Sequence, residues 1–146
     1  MLRFGRKRAK PSVITLADQA RDQGQWERAA SYYEQALRRN PQNSPIWVQY
    51  GHVLKESGTT EKAESAYRTG IGLDPRAADP YVQLGHALKA QGKEEEARAA
   101  YLMAVALDPS LQGVAFEFSQ LGWSDAHLSE LQAMLGTVPP IRDGQF

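Results

Sequence analysis

The sequence predicts an all-α fold, an α-solenoid of three stacked helix-turn-helix hairpins with further helices at its C-terminal end. Three observations predict it: segments recur after 34 positions, apolar residues inside each copy follow the period of a helix, and a glycine and a proline return at fixed places. The clearest recurrence is VQYGHVLK at 48–55 and VQLGHALK at 82–89, which share six of eight letters. Such recurrence is typical of one structural unit used several times, rather than of a duplicated active site.

The first helix of each copy is predicted from an apolar stripe with a small residue in its middle. The copies span 10–43, 44–77 and 78–111. A small residue at the eighth place of each copy allows a second helix to approach closely. These small residues are Ala17, Gly51 and Gly85. A glycine then ends the helix by taking a left-handed conformation. These glycines are Gly24, Gly58 and Gly92, which places the first helices at 12–23, 44–57 and 78–91.

The second helix of each copy carries an alanine at a close contact and a tyrosine as its large core residue. The alanines are Ala29, Ala63 and Ala97, and the tyrosines are Tyr33, Tyr67 and Tyr101. A proline follows each helix and stops it, because the residue before a proline is pushed out of the helical region. Second helices are therefore expected at 26–39, 60–73 and 94–107. Since one hairpin cannot cover its own apolar stripe, the copies are expected to stack into a continuous core.

This pattern resembles the tetratricopeptide repeat (TPR) family, whose unit has 34 residues and the signature W-x2-L-G-x2-Y, A, F, A, P. The second copy shows Trp47, Gly51, Ala63, Tyr67 and Pro75 of that signature. The third copy shows Tyr81, Leu84, Gly85, Ala97, Tyr101, Ala104 and Pro109. The resemblance covers about two thirds of the chain, without gaps between copies. It implies a right-handed solenoid whose first helices line a concave groove.

The pattern changes at both ends of the repeats. After Leu111, the letters LGWSD interrupt it, and Ser124 is a candidate N-cap for an amphipathic helix over 125–135. We expect 112–135 to form capping helices and 136–146 a flexible tail. Together with the repeats, the capping helices make one domain over 11–135. Residues 1–10 form a basic arm of charge +5, whereas the rest of the chain carries −5 and is a poor candidate for nonspecific nucleic-acid binding.

Several function classes are excluded or disfavoured by what the sequence lacks. There is no cysteine, which excludes disulfides and thiolate metal sites. No apolar run approaches the roughly 20 residues of a transmembrane helix or the roughly 7–15 of a signal peptide, which predicts a cytoplasmic chain. No G-x-S-x-G, phosphate loop or His-Glu-x-x-His occurs, so we expect neither enzyme activity nor a cofactor. His52 and His86 stand one repeat apart, too far for one zinc ion, and are interpreted as polar groove lining.

The resemblance implies a protein or peptide partner in the concave groove. The best-known groove of the family clamps chaperone tails with lysine at the fifth place and asparagine at the ninth. This chain has neither, which disfavours such a tail. The predicted contacts are an apolar strip and its polar flanks: Ile14, Val48 and Val82, with Gln49, His52, Lys55, Gln83, His86 and Lys89, and a mixed-charge end of Asp18, Arg21 and Asp22. This surface suits an extended or helical peptide with apolar anchors and some acidic or amide groups.

Three functions stay open from the sequence. The first is a non-catalytic interaction scaffold. The second is the N-terminal module of a larger enzyme, since PIWVQYGHVLKESG is similar to bacterial repeats that precede glycosyltransferase domains. The third is a self-associating unit, a homodimer formed through the open end of the solenoid or the helix at 125–135.

Overall fold

The computed structural model describes residues 9–111, and within that range the chain forms six α-helices and no β-strand. The helices are α1 (Val13–Asp22), α2 (Trp26–Arg39), α3 (Ser44–Glu56), α4 (Thr60–Leu73), α5 (Ala78–Ala90) and α6 (Glu94–Leu107), followed by a 3-10 turn at Pro109–Leu111. Each helix packs on the next one along the chain, and α3 also contacts α5. The predicted helices are confirmed to within one residue at each end.

The helix ends follow from local chemistry. The side chain of Ser12 accepts a hydrogen bond from the backbone N–H of Thr15 at 3.1 Å, and Asn43 caps α3 in the same way through Ile46 at 3.3 Å. The turns between the two helices of each hairpin contain the predicted left-handed glycines, with φ of 71°, 88° and 76° at Gly24, Gly58 and Gly92. Because residues with a side chain rarely adopt that φ, each of these three turns requires its glycine.

The core is built around the three repeated tyrosines. Tyr33, Tyr67 and Tyr101 are at most 1% exposed, and each belongs to the second helix of its hairpin. A Cβ atom added to Gly51 would lie 2.7 Å from Cε1 of Tyr67, and one added to Gly85 would lie closer still to Tyr101. The small eighth place is therefore what lets the tyrosine ring cross the first helix.

Aromatic residues at the fourth place join successive hairpins. Trp47 donates a hydrogen bond from Nε1 to the carbonyl oxygen of Pro41 at 2.8 Å, and the hydroxyl of Tyr81 donates to that of Pro75 at 3.1 Å. Trp47 also packs against both apolar clusters of the core, one centred on the first hairpin and one on the second and third. The clusters thus form one continuous core, as expected for a stack of repeats.

Parts of the predicted organisation lie outside the described residues. These are residues 1–8 of the basic arm, the capping helices at 112–135 and the tail at 136–146, all of which stay predictions. None of the helices described for residues 9–111 is long and apolar enough to cross a membrane.

Candidate functional site

The first helices of the three hairpins form a wall of polar side chains, here called the α1–α3–α5 wall. Arg21 donates from Nη1 to Oε1 of Gln49 at 2.7 Å, and Lys55 donates from Nζ to Oε1 of Gln83 at 3.2 Å. Both bonds join residues 28 apart, so a cation at the twelfth place reaches a glutamine at the sixth place of the next repeat. The predicted groove residues Gln49, Lys55 and Gln83 therefore also hold neighbouring repeats together.

The mixed-charge end of the wall is a paired cluster. Arg21 contacts Oδ1 of Asp18 at 3.3 Å and Oδ1 of Asp22 at 3.1 Å. It also donates to the hydroxyl oxygen of Tyr33 at 3.0 Å, and that hydroxyl donates to Asp18 at 2.6 Å. Burial and the hydrogen bond to Asp18 raise the pKa of Tyr33 above its ordinary value, so the hydroxyl keeps its proton. The structure thus brings the three predicted residues of this end together.

The ninth place of the third hairpin makes an equivalent bond. His86 shares a hydrogen bond of 2.9 Å between Nδ1 and the hydroxyl of Tyr101, and the two rings meet edge to face at 5.5 Å. His86 is half-buried, and Lys89 on the same helix is exposed. The ninth-place side chain of α5 is therefore partly accessible and also bonds to the core tyrosine of its own hairpin.

The histidine at the ninth place of the middle hairpin makes a different contact. His52 does not bond to its tyrosine; its ring meets the ring of Trp26 edge to face at 6.3 Å. Burial lowers the pKa of His52 below its ordinary 6.5, and the positive charge of Lys55 lowers it further. His52 is therefore neutral at pH 7. The buried hydroxyl of Tyr67 has no hydrogen-bond partner among residues 9–111.

Two residues of the predicted apolar strip are largely covered by the protein itself. Val48 and Val82 are only 8% and 9% exposed and belong to the core. At Val48 the second helix of the same hairpin approaches closely: a Cβ atom on Gly70 of α4 would lie 3.1 Å from Cγ2 of Val48. Ile14 is half-buried against the core of the first hairpin. Ile14 is therefore the most accessible of the three predicted apolar residues. Contact of a partner with the remaining residues stays a prediction.

Sequence reasoning did not find a second polar network, which links the middle and third hairpins away from the wall. Glu64 accepts hydrogen bonds from Lys93 at 3.0 Å and Gln91 at 3.2 Å, and it contacts Arg68 at 3.4 Å. Burial alone would raise the pKa of Glu64, but the hydrogen bond from Lys93 and the charge of Arg68 hold it below its ordinary value. The network is a structural one.

Two further features bear on the predicted functions. Within the described part of the chain, no group of three or more histidine or acidic side chains could hold a metal ion. The N-terminal end of the stack has a shallow cavity of about 170 Å³ lined mainly by polar side chains, among them Gln19, Gln23, Gln25 and Arg28. Self-association through an end of the stack stays a prediction.

Comparison with known proteins gives one family and several similar structures. The family model described as the cilia and flagella-associated protein 70 middle TPR-like domain matches residues 13–135. A structure of the first TPR of Spaghetti (RPAP3) bound to HSP90 peptide SRMEEVD has a TM-score of 0.70 and 20% identity, covering 75% of this chain and 89% of that one. None of the curated proteins gives a significant match.

Two other solved structures share the fold. The Arabidopsis OM64 TPR domain has a TM-score of 0.65 and 21% identity, and the match covers 67% of this chain and 81% of that one. MamA protein has a TM-score of 0.64 and 24% identity, and the match covers 66% of this chain and 53% of that one. The shared fold confirms the predicted all-α solenoid of TPR hairpins.

Proposed function

The chain belongs to the family of the cilia and flagella-associated protein 70 middle TPR-like domain, and we propose that it is a non-catalytic scaffold that binds a peptide or protein surface along the α1–α3–α5 wall. The observation that carries this proposal is the repeated bond from the twelfth place to the sixth place of the next repeat, Arg21 to Gln49 and Lys55 to Gln83. These bonds arrange polar groups of three helices into one continuous surface.

Pre-organisation is the physical reason that such a surface suits binding. A long side chain that is already held in one position loses less conformational entropy when a partner arrives. Arg21, Gln49, Lys55 and Gln83 are held in this way and remain partly accessible. Each glutamine keeps its side-chain N–H groups as donors, and His52, being neutral, offers both a donor and an acceptor.

The similar structures support a peptide as the partner class. Both TPR units of Spaghetti (RPAP3) are described as bound to HSP90 peptide SRMEEVD. In this chain the fifth places are Ile14, Val48 and Val82, and the ninth places are Asp18, His52 and His86. A carboxylate clamp of lysine and asparagine at those places is absent, so we expect a partner other than an acidic chaperone tail.

The test uses peptides selected from a random display library on the whole chain. Changing His52→Ala and Lys55→Ala together should lower the affinity of groove-bound peptides at least tenfold, measured by calorimetry. The matched control is Lys62→Ala, an exposed lysine of α4 away from the wall. Equal binding by both variants, with the helical circular dichroism of the wild type, would rule out the wall as the binding surface.

A further inference from the structure

The contacts that join neighbouring hairpins recur at fixed spacings along the chain. On the α1–α3–α5 wall, the cation at the twelfth place of a repeat donates to the residue 28 positions later, at the sixth place of the next repeat. Where a second helix meets the next first helix, the hydroxyl of Tyr50 donates to Glu34, 16 positions earlier. The seventh place of a repeat thus contacts the twenty-fifth place of the repeat before it. Arg68 and Leu84 hold the same two places one repeat later, and together they line a cavity of about 240 Å³.

The same two spacings, applied to the third hairpin, select complementary residues after Leu111. The twelfth place of the third repeat is Lys89, and Glu117 stands 28 positions later. The twenty-fifth place is Leu102, and Phe118 stands 16 positions later. A carboxylate accepts a hydrogen bond from a lysine more strongly than a carboxamide does, and a leucine packed on a phenylalanine removes apolar surface from water. Both pairs therefore suit the contacts that their places make in the first two repeats.

The face of α6 that points away from the first two hairpins is covered. Arg98 is 6% exposed and Leu102 is 8% exposed. Arg68 holds the place of Leu102 in α4, and it is exposed although a complete hairpin follows it. Within residues 9–111, only the 3-10 turn at Pro109–Leu111 follows α6. Arg98 lies roughly 15 Å along the helix from that turn, at a rise of about 1.5 Å per residue. The cover of this face therefore comes from another part of the chain.

We propose that residues 112–121 pack on α5 and α6 as the first helix of a fourth hairpin in the same 34-residue register. In that register Glu117 accepts a hydrogen bond from Lys89, and Phe118 packs on Leu102. The register decides which face the predicted capping segment turns toward the stack, and it holds whether or not the wall binds a partner.

The position and charge of this segment favour it over other occupants of the face. It follows directly on the C-terminal end of α6, and the matched family domain extends past it to residue 135. Residues 1–8 precede α1 at the opposite end of the stack, and their four cations would repel Arg98. A second copy of the chain would cover the same face only by association between molecules, which makes stability depend on protein concentration.

The first arm of the test cross-links pairs of introduced cysteines in the full chain, which has no cysteine of its own. The test variant combines Lys89→Cys with Glu117→Cys. The matched control combines Lys55→Cys with Gln83→Cys, whose native side chains are in contact. With a short bismaleimide, both variants should form an intramolecular link at similar rates. A mismatched variant, Lys89→Cys with Ala115→Cys, places the second thiol on the other side of the helix and should react about tenfold more slowly.

Two outcomes of this arm would overturn the proposal. Equal rates for the Glu117→Cys and Ala115→Cys variants would show that the segment does not keep the register. Links between two molecules, seen as dimers on a denaturing gel, would show that a second copy covers the face instead.

The second arm measures the contact between Leu102 and Phe118 by urea unfolding of the full chain. Leu102→Ala should raise the equilibrium constant of unfolding at least about tenfold. In a Phe118→Ala background its effect should be about fivefold smaller or less, because the effects of residues in contact are not additive. Phe116→Ala is the matched control, since the fifth place faces the second helix of its own hairpin, as Val48 does. It should leave the effect of Leu102→Ala unchanged within about twofold.

Phe118→Leu takes the place of Phe118→Ala if the alanine variant does not fold. Additive effects of the substitutions at Leu102 and Phe118 would overturn the contact. Coupling of Leu102 to Phe116 instead would mean that the helix is rotated about its axis, which would overturn the register.

Discussion

Replacing Gly51 by alanine should destabilise the fold although alanine is the better helix former. An added Cβ atom would lie 2.7, 2.8 and 3.1 Å from Cε1, Cδ1 and Cζ of Tyr67. The ring cannot move aside easily, since Tyr67 is 0% exposed and packed in the core. Overpacking of this kind costs about 1–3 kcal/mol, and the contacts here belong at the upper end. The gain in helix propensity from glycine to alanine offsets about 1 kcal/mol of it.

The net expectation for Gly51→Ala is a loss of about 2 kcal/mol in the free energy of unfolding, from these overpacking and propensity terms. The control is Gly72→Ala in α4, an exposed position where an added Cβ atom meets nothing within 4 Å. That variant should gain up to about 1 kcal/mol from helix propensity alone. Urea unfolding followed by circular dichroism at 222 nm gives both values. Equal effects of the two substitutions would refute the close approach of Tyr67 to α3.

Two further predictions concern ionisation. Glu64 has a folded pKa below its ordinary 4.5, so its contribution to stability is present above that value and is lost as pH falls through the folded pKa. Glu64→Gln should therefore be less stable than the wild type at pH 7 in urea unfolding. This difference in stability should shrink as the pH falls below about 4.5, and a difference that does not shrink with falling pH would contradict the ion pairing. His52 should titrate below its ordinary 6.5 by NMR, and Trp26→Ala should move its pKa back toward that value by exposing the ring. An unchanged His52 titration in Trp26→Ala would show that Trp26 does not bury it.

Most of the fold could be predicted because its signals are local and repeated. The positive φ of Gly24, Gly58 and Gly92 and the tyrosine rings across Gly51 and Gly85 follow from residue type and spacing. The bond from the twelfth to the sixth place also had a signal in the sequence. Arg21 and Lys55 each stand 28 residues before a glutamine, so the spacing places each cation beside the glutamine once the repeats are stacked.

The burial of two candidate site residues could not be predicted from the sequence. Val48 and Val82 occupy places that line the groove by family pattern, and both are buried. At Val48 the glycine Gly70 lets α4 come close. Periodicity states which face of a helix a residue occupies, but not how deeply the neighbouring helix covers that face. The depth depends on the side chains of both helices together.

By itself, the sequence determined the repeat length, the bounds of the six helices and the small residue beneath each core tyrosine, since these depend on residues within one hairpin. Only the tertiary structure decided which partner each ninth-place residue takes: Asp18 bonds to Tyr33, His86 bonds to Tyr101, and His52 contacts Trp26. Those choices join residues of different helices, and in the middle repeat of different hairpins. These contacts depend on side-chain rotamers and ring packing, which cannot be read from the repeat pattern of the sequence.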